Sequence, residues 1–120
     1  MIVDMKTAQS TQPTVVLIPA YEPGPALQNT AAALTEAGYI VVVIDDGSGP
    51  QYKEVFDRLD GVHLLQHAKN QGKGAALKTG YRYIQRRYPD AVVVTADADG
   101  QHAIKDIAVL AKLAQTTEKD

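Results

Sequence analysis

The sequence predicts an α/β fold, a doubly wound parallel sheet with strand order 3-2-1-4. Two observations carry this. The apolar runs lack polar alternation, as strands buried on both faces do. They also alternate with segments of helical period, and each such segment can cross over between two parallel strands. At 120 residues and 45% hydrophobic content, the chain makes at most one domain, with enough apolar residues for a real core.

Thr14 to Ile18 reads as the first strand, ending at Pro19. Gly24-Pro25 opens a helix, with Pro25 suited to its first position. Leu27, Ala31, Leu34 and Ala37 form its apolar stripe, and Gly38 caps its C-terminus. Tyr39 to Ile44 is the second strand, stopped by the turn-rich run Asp45-Asp46-Gly47-Ser48-Gly49-Pro50. A short helix is expected over Gln51 to Leu59, and a third strand over Val62 to Leu65.

Asn70 to Gly74 is a glycine-rich loop. The helix after it places Leu77, Tyr81, Ile84 and Tyr88 on one face, with Lys78, Arg82, Gln85 and Arg86 roughly opposite. Gly80 inside that helix costs about 1 kcal/mol against alanine, so close packing against the sheet is the expected reason for it. Ala91 to Ala96 is the fourth strand, and a last helix carries Ile104, Ile107, Ala108, Ala111 and Ala114. Residues 1–13 are expected to be a loose tail, and 116–120 a polar one.

The bulk composition removes several functions. A net charge of −2 leaves no basic footprint for nucleic acid. With no cysteine there are no disulfides and no thiolate metal sites, which suits a cytoplasmic chain. No apolar run within the chain is long enough to cross a bilayer.

In open parallel sheets, ligands bind beyond the carboxyl ends of the strands, where strand order reverses. Three polar clusters fall at such ends: Pro19 to Glu22, Asp45 to Ser48, and Asp97 to Gln101. Asp97 and Asp99 follow a buried strand, where unpaired negative charge is expensive. A hard divalent cation, Mg²⁺ or Mn²⁺, would answer that charge and bring phosphates with it, with Gln101 as a further oxygen donor. The plainer reading is an aspartate turn or helix cap. His102 is expected to be an exposed polar residue. Asp45 and Asp46 suit a tight turn, but two adjacent acids repel, so one is expected to accept a hydrogen bond from a base or ribose. Gly72-Lys73-Gly74 could cradle phosphate with backbone N–H groups. It lacks the Ser or Thr of a P-loop, and taken alone it reads as a flexible turn with a solvated lysine. Arg82, Arg86 and Arg87 read as a solvated face, and His63 as structural.

Four stretches together resemble the family 2 glycosyltransferases of GT-A fold. They are Val16 to Tyr21, Val42 to Ser48, Asn70 to Leu77, and Asp97 to His102, in the family's order and covering about residues 14–115. The Asp-Ala-Asp-x-Gln-His run is nearest the dolichyl- or polyprenyl-phosphate sugar synthase type. The resemblance implies an inverting transferase in cell-envelope glycan synthesis that takes a nucleotide-diphosphate sugar with Mg²⁺ or Mn²⁺. A polyprenyl phosphate is one acceptor it allows, which would set the full-length protein at the cytoplasmic face of a membrane. It implies that Pro19 and Tyr21 line the base pocket and that Ile44 and Asp46 contact base and ribose. It further implies that Lys73 lies near the phosphates, and that Asp97, Asp99 and Gln101 hold the metal and diphosphate. Glu22-Pro23 stands where the family has Asn-Glu, so Glu22 is a displaced candidate for the nucleotide contact.

In the family, the second half of the domain supplies acceptor contacts and the catalytic base. The chain therefore reads as the donor-binding half, with the base beyond Asp120 and little transfer activity of its own. A nucleotide-binding module without chemistry is an alternative. So is a receiver-type signalling domain, though receivers place their acidic pair after the first strand, where Pro19-Ala20-Tyr21 stands here. A nucleotidyltransferase would carry a basic glycine-rich loop at that same place.

Overall fold

The computed structural model describes residues 12–99, 106–109 and 112–113. Its four strands form a wholly parallel sheet, β3-β2-β1-β4, in the predicted order. The elements are β1 (Thr14–Ala20), α1 (Ala26–Glu36), β2 (Ile40–Asp46), a 3₁₀ turn (Pro50–Tyr52) leading into α2 (Lys53–Asp57), β3 (His63–His67), α3 (Lys73–Arg87) and β4 (Val92–Thr95). Among the described residues, no helix is long and apolar enough to cross a membrane. The expected tails lie outside the described residues except at their inner edge, where Val92 N–H donates to the Pro13 carbonyl at 2.9 Å.

Alternation along the central strands feeds two cores. Val16, Ile18, Val41 and Val43 face α1 and α2, and meet Leu27, Leu34 and Phe56. Ile107, in the helical residues 106–109, joins this core and is fully buried; Ile104, Ala111 and Ala114 of the expected last helix lie outside the described residues. Val15, Leu17, Val42 and Ile44 face α3, and meet Ala76 and Ile84. Each such side chain contributes about 1.5–3 kcal/mol by leaving water.

Three strands run past their expected C-terminal ends. β1 continues through Pro19 to Ala20. Leu17 accepts from Ala96 N–H on the β4 side, and backbone groups two residues apart point the same way, so Pro19 also faces β4. β4 has ended by that level, so the missing proline N–H breaks no ladder bond. β2 runs on through Asp45 and Asp46, and β3 through Gln66 and His67, because these polar pairs are ladder partners. Their composition resembles a turn, yet each strand completes the other.

α3 buries Ala76, Gly80 and Ile84, while Tyr81 is 46% exposed. The inward stripe is thus rotated by one position from the expected one. The cause is Gly80, where an added Cβ would come 2.3 Å from Leu17 Cδ1. The glycine lets helix and strand approach closely, and the fully buried Leu17 offsets its propensity cost. In α1, Ala37 is the exposed C-cap rather than part of the stripe, and Gly38 takes φ +95° just beyond it.

His63 is structural, as expected. Tyr83 and Tyr88 hydroxyls lie 2.7 and 3.0 Å from its two ring nitrogens. Burial, and then the nearby Arg87 charge, push its pKa below the ordinary value. The unfolded chain therefore takes up a proton before the folded one does. Stability from this source is complete above the ordinary imidazole value, about 6.5, and is lost as pH falls through the lower folded value. Urea midpoints should drop between pH 7.5 and 5.5, and His63→Gln should flatten that slope.

Candidate functional site

The strand tips meet in one cleft of about 330 Å³, lined by Pro19, Ala20, Tyr21, Asp46, Asn70, Lys73, Ala76 and Asp97. It lies where the sheet reverses order, between β1 and β4 with β2 alongside. Pro19, Tyr21, Asp46, Lys73 and Asp97 are thus brought together from four separate segments.

Asp45 and Asp46 avoid mutual repulsion by pointing to opposite faces of β2. Asp45 Oδ1 accepts from Ser48 N–H at 3.0 Å, an Asx-type turn, and Gln66 Nε2 lies 3.4 Å from Oδ2. Ser48 Oγ in turn accepts from Glu22 N–H at 2.9 Å, which ties the loop after β1 to the loop after β2. Glu22 takes φ +49°, among the described residues the one non-glycine residue in the left-handed region. The Glu22 charge holds the Tyr21 phenol above its ordinary pKa.

Asp46 is 3% exposed, and its carboxylate is fully engaged. Oδ1 accepts from His67 Nδ1 at 2.7 Å and from Gln71 N–H at 2.9 Å. Oδ2 accepts from Asn70 Nδ2 at 3.1 Å and from Gly72 N–H at 2.9 Å. These four bonds fill the roughly four acceptor sites of a carboxylate. Burial acts to raise its pKa, but the bonds from His67, Gln71 and Gly72 outweigh it and hold the carboxyl below the usual range. These bonds leave Asp46 no free acceptor site toward the base or ribose expected to contact it. Asp46 fastens the glycine-rich loop to the tip of β2. The bond from Gly72 occupies one N–H group of the expected Gly72-Lys73-Gly74 phosphate cradle, leaving those of Lys73 and Gly74 in the first turn of α3.

Gly47 makes that docking possible. Its φ is +73°, and a Cβ there would stand 2.2 Å from Asn70 N and 2.3 Å from Lys69 C. With the loop held down, α3 starts at Lys73 with its N-terminus toward the cleft. Unpaired N–H groups and the positive end of the helix dipole suit an anion there. Lys73 Nζ lies 3.6 Å from Asp97 Oδ1, across the mouth of the cleft.

The other expected site residues fall differently. Ile44 has no exposed surface and belongs to the core beneath the cleft, so it offers nothing for a base to touch. Glu22 and Asp99 are exposed beside the cleft but do not line it. Gln101 and His102 lie outside the described residues. Among the described residues, no three carboxylates or imidazoles gather at one point. That does not disfavour Mg²⁺, which is commonly held by one or two carboxylates together with substrate phosphates. The half-exposed Asp97 carboxylate on the cleft wall is an oxygen donor of the right hardness.

Sequence reasoning missed His67, Asn70 and Thr79. His67 Nε2 lies 2.8 Å from Thr79 Oγ1. The available signal was ladder register, which sets His67 opposite Asp46 on the same face.

Residues 15–120 match the family described as Glycosyl transferase family 2. An uncharacterized protein of Methanocaldococcus jannaschii is 36% identical over 98 residues, covering 81% of this chain and 40% of the relative. A UDP-N-acetylglucosamine–dolichyl-phosphate N-acetylglucosaminyltransferase of Methanococcus voltae is 30% identical, covering 78% of this chain and 43% of its own. A dolichyl-phosphate beta-glucosyltransferase of Trichomonas vaginalis is 34% identical over 60% of this chain and 22% of its own. The chain thus spans less than half the length of these curated relatives. No solved structure gives a significant match.

Proposed function

The chain belongs to glycosyl transferase family 2, and from that premise we propose that it forms the donor-binding part of an inverting sugar transferase. The donor is a nucleoside-diphosphate sugar. The acceptor is a polyprenyl phosphate, a reading supported by the dolichyl-phosphate relatives, and with such an acceptor the complete protein would work at the cytoplasmic face of a membrane. The single observation that carries this reading is the cleft that gathers Tyr21, Lys73 and Asp97 at the point of strand reversal.

In this reading the nucleoside lies along Pro19, Ala20 and Tyr21, whose ring is half exposed and open to stacking. The diphosphate sits before the N-terminus of α3, where Lys73 and the first-turn N–H groups face it. Asp97 and Asp99, with Gln101, would hold Mg²⁺ or Mn²⁺. That ion would supply charge neutralisation to the diphosphate as the bond to the sugar breaks. Lys73, on the cleft wall beside Asp97, shares that duty as a positive charge for the leaving group. An oxygen of the acceptor phosphate, already ionised at neutral pH, attacks the anomeric carbon from the face opposite the diphosphate; the bond to the nucleoside diphosphate breaks, that group leaves with the electron pair, and the centre inverts.

The test is calorimetric titration of the chain with UDP and with GDP, with and without Mn²⁺. Binding of one nucleotide, strengthened at least about tenfold by Mn²⁺ and insensitive to Mn²⁺ in Asp97→Ala, is the expected result. Equal affinity with and without the ion would remove the metal assignment, and no binding of either nucleotide would remove the donor site.

A further inference from the structure

We infer that His67 is a positioning residue for donor binding, holding the loop that presents Lys73 and the α3 N-terminus to the cleft. The inference rests on the donor-site reading above and deepens it.

His67 joins three elements through two short contacts. Its Nδ1 lies 2.7 Å from Asp46 Oδ1 on β2, and its Nε2 lies 2.8 Å from Thr79 Oγ1 on α3. The imidazole is 8% exposed and the Asp46 side chain 4%. A carboxylate only accepts, so Nδ1 carries the proton and donates to Asp46. Nε2 is then the acceptor for the Thr79 hydroxyl in the neutral ring. Asp46 thereby fixes the tautomer and Thr79 the tilt of the imidazole, as orienting partners do for a ligating histidine.

The consequence reaches the cleft through Asp46. Its carboxylate is the common acceptor for Asn70, Gln71 and Gly72, the residues that immediately precede Lys73. A carboxylate free to rotate would share its oxygens differently among those donors. His67 prevents this by fixing Oδ1 from the β3 side. Thr79 lies six residues after Lys73 in the same helix, so the two arms of His67 set the loop and the helix against each other. Lys73 is thus held at both ends of the segment that carries it. His67 does not itself line this cleft, and of its hydrogen-bond partners Asp46 alone does, so its effect on a ligand there is indirect.

The two arms can be separated chemically. The substitution His67→Asn puts an amide N–H near the Nδ1 position, where it can still donate to Asp46. The substitution His67→Gln reaches the Nε2 position instead and leaves Asp46 without that donor. The experiment titrates UDP with Mn²⁺ into the wild-type chain, His67→Asn, His67→Gln and Thr79→Val. Hydrogen exchange at the Gln71 and Gly72 amides is followed in each. Expected is a roughly tenfold weaker UDP affinity in His67→Gln, with faster exchange at those two amides and unchanged exchange in β1 and β2. His67→Asn should recover most of both, and Thr79→Val should fall between. Unaltered affinity in His67→Gln, or equal losses in the Asn and Gln variants, overturns the inference while leaving the donor site in place. If the Gln variant unfolds, Thr79→Val carries the test, and wild-type affinity and exchange in it count against the inference. A wild-type chain that binds no UDP or GDP refutes the donor-site reading itself, and the role of His67 with it.

Discussion

Gly47→Ala is expected to release the glycine-rich loop and to cost about 2–5 kcal/mol of stability. Two penalties combine. The backbone at residue 47 has φ +73°, which costs an L side chain about 1–2 kcal/mol. The new methyl would also stand 2.2 Å from Asn70 N and 2.3 Å from Lys69 C. Both are backbone atoms, and no rotamer change can move them aside. The loop must lift, and lifting it draws Asn70, Gln71 and Gly72 away from Asp46. Urea unfolding should show the lower midpoint, and nucleotide affinity should fall by far more than in an exposed-site control such as Gly24→Ala, where an added Cβ meets nothing within 4 Å.

Asp46→Ala should be the second most damaging change, at about 2–4 kcal/mol. Four donors lose their acceptor at once, two of them backbone N–H groups. Each buried donor left unpaired costs about 1–3 kcal/mol, less where cleft water can replace the oxygen. Asp46→Asn is not a rescue, because its amide NH₂ would face donors. The same carboxylate gives an acid limit. Its folded pKa is depressed, so its contribution is complete above the unfolded aspartate value of about 3.9 and is lost as pH falls through the folded value. In acid, exchange at the Gln71 and Gly72 amides should rise before the sheet melts. The Asp46→Ala variant should show no such early phase.

The parallel sheet and its order were legible because the apolar runs carry no competing signal. Val15 to Ile18 and Val41 to Ile44 are buried on both faces, and their composition says so. The strand ends were not legible in the same way. Asp45-Asp46 and Gln66-His67 look like punctuation, and only their pairing across the ladder makes them strand. The rotation of α3 was hidden for a related reason. Tyr81 is the more apolar candidate for an inward position, but Gly80 wins because Leu17 needs the space.

The site divides along the same line. The gathering of Tyr21, Lys73 and Asp97 follows from topology, which the sequence pattern reveals. The work of Asp46 depends on who its neighbours are. A buried aspartate beside a loop of free N–H groups is taken by the loop before any ligand arrives. Ile44 shows the converse, since adjacency to a motif gave it a role that its burial removes.

The central claim is that the tips of β1, β2 and β4 with the start of α3 form one nucleoside-diphosphate site. Amide NMR of the chain titrated with UDP and Mg²⁺ tests it most directly. The account predicts saturable shifts at Tyr21, Asn70, Lys73, Gly74 and Asp97. A second cleft, of about 480 Å³, lies across the tip of β2 and is lined by Asp45, Gly49, Lys53, Gln66 and Ala68. Shifts centred there, with the first set unmoved, would contradict the account.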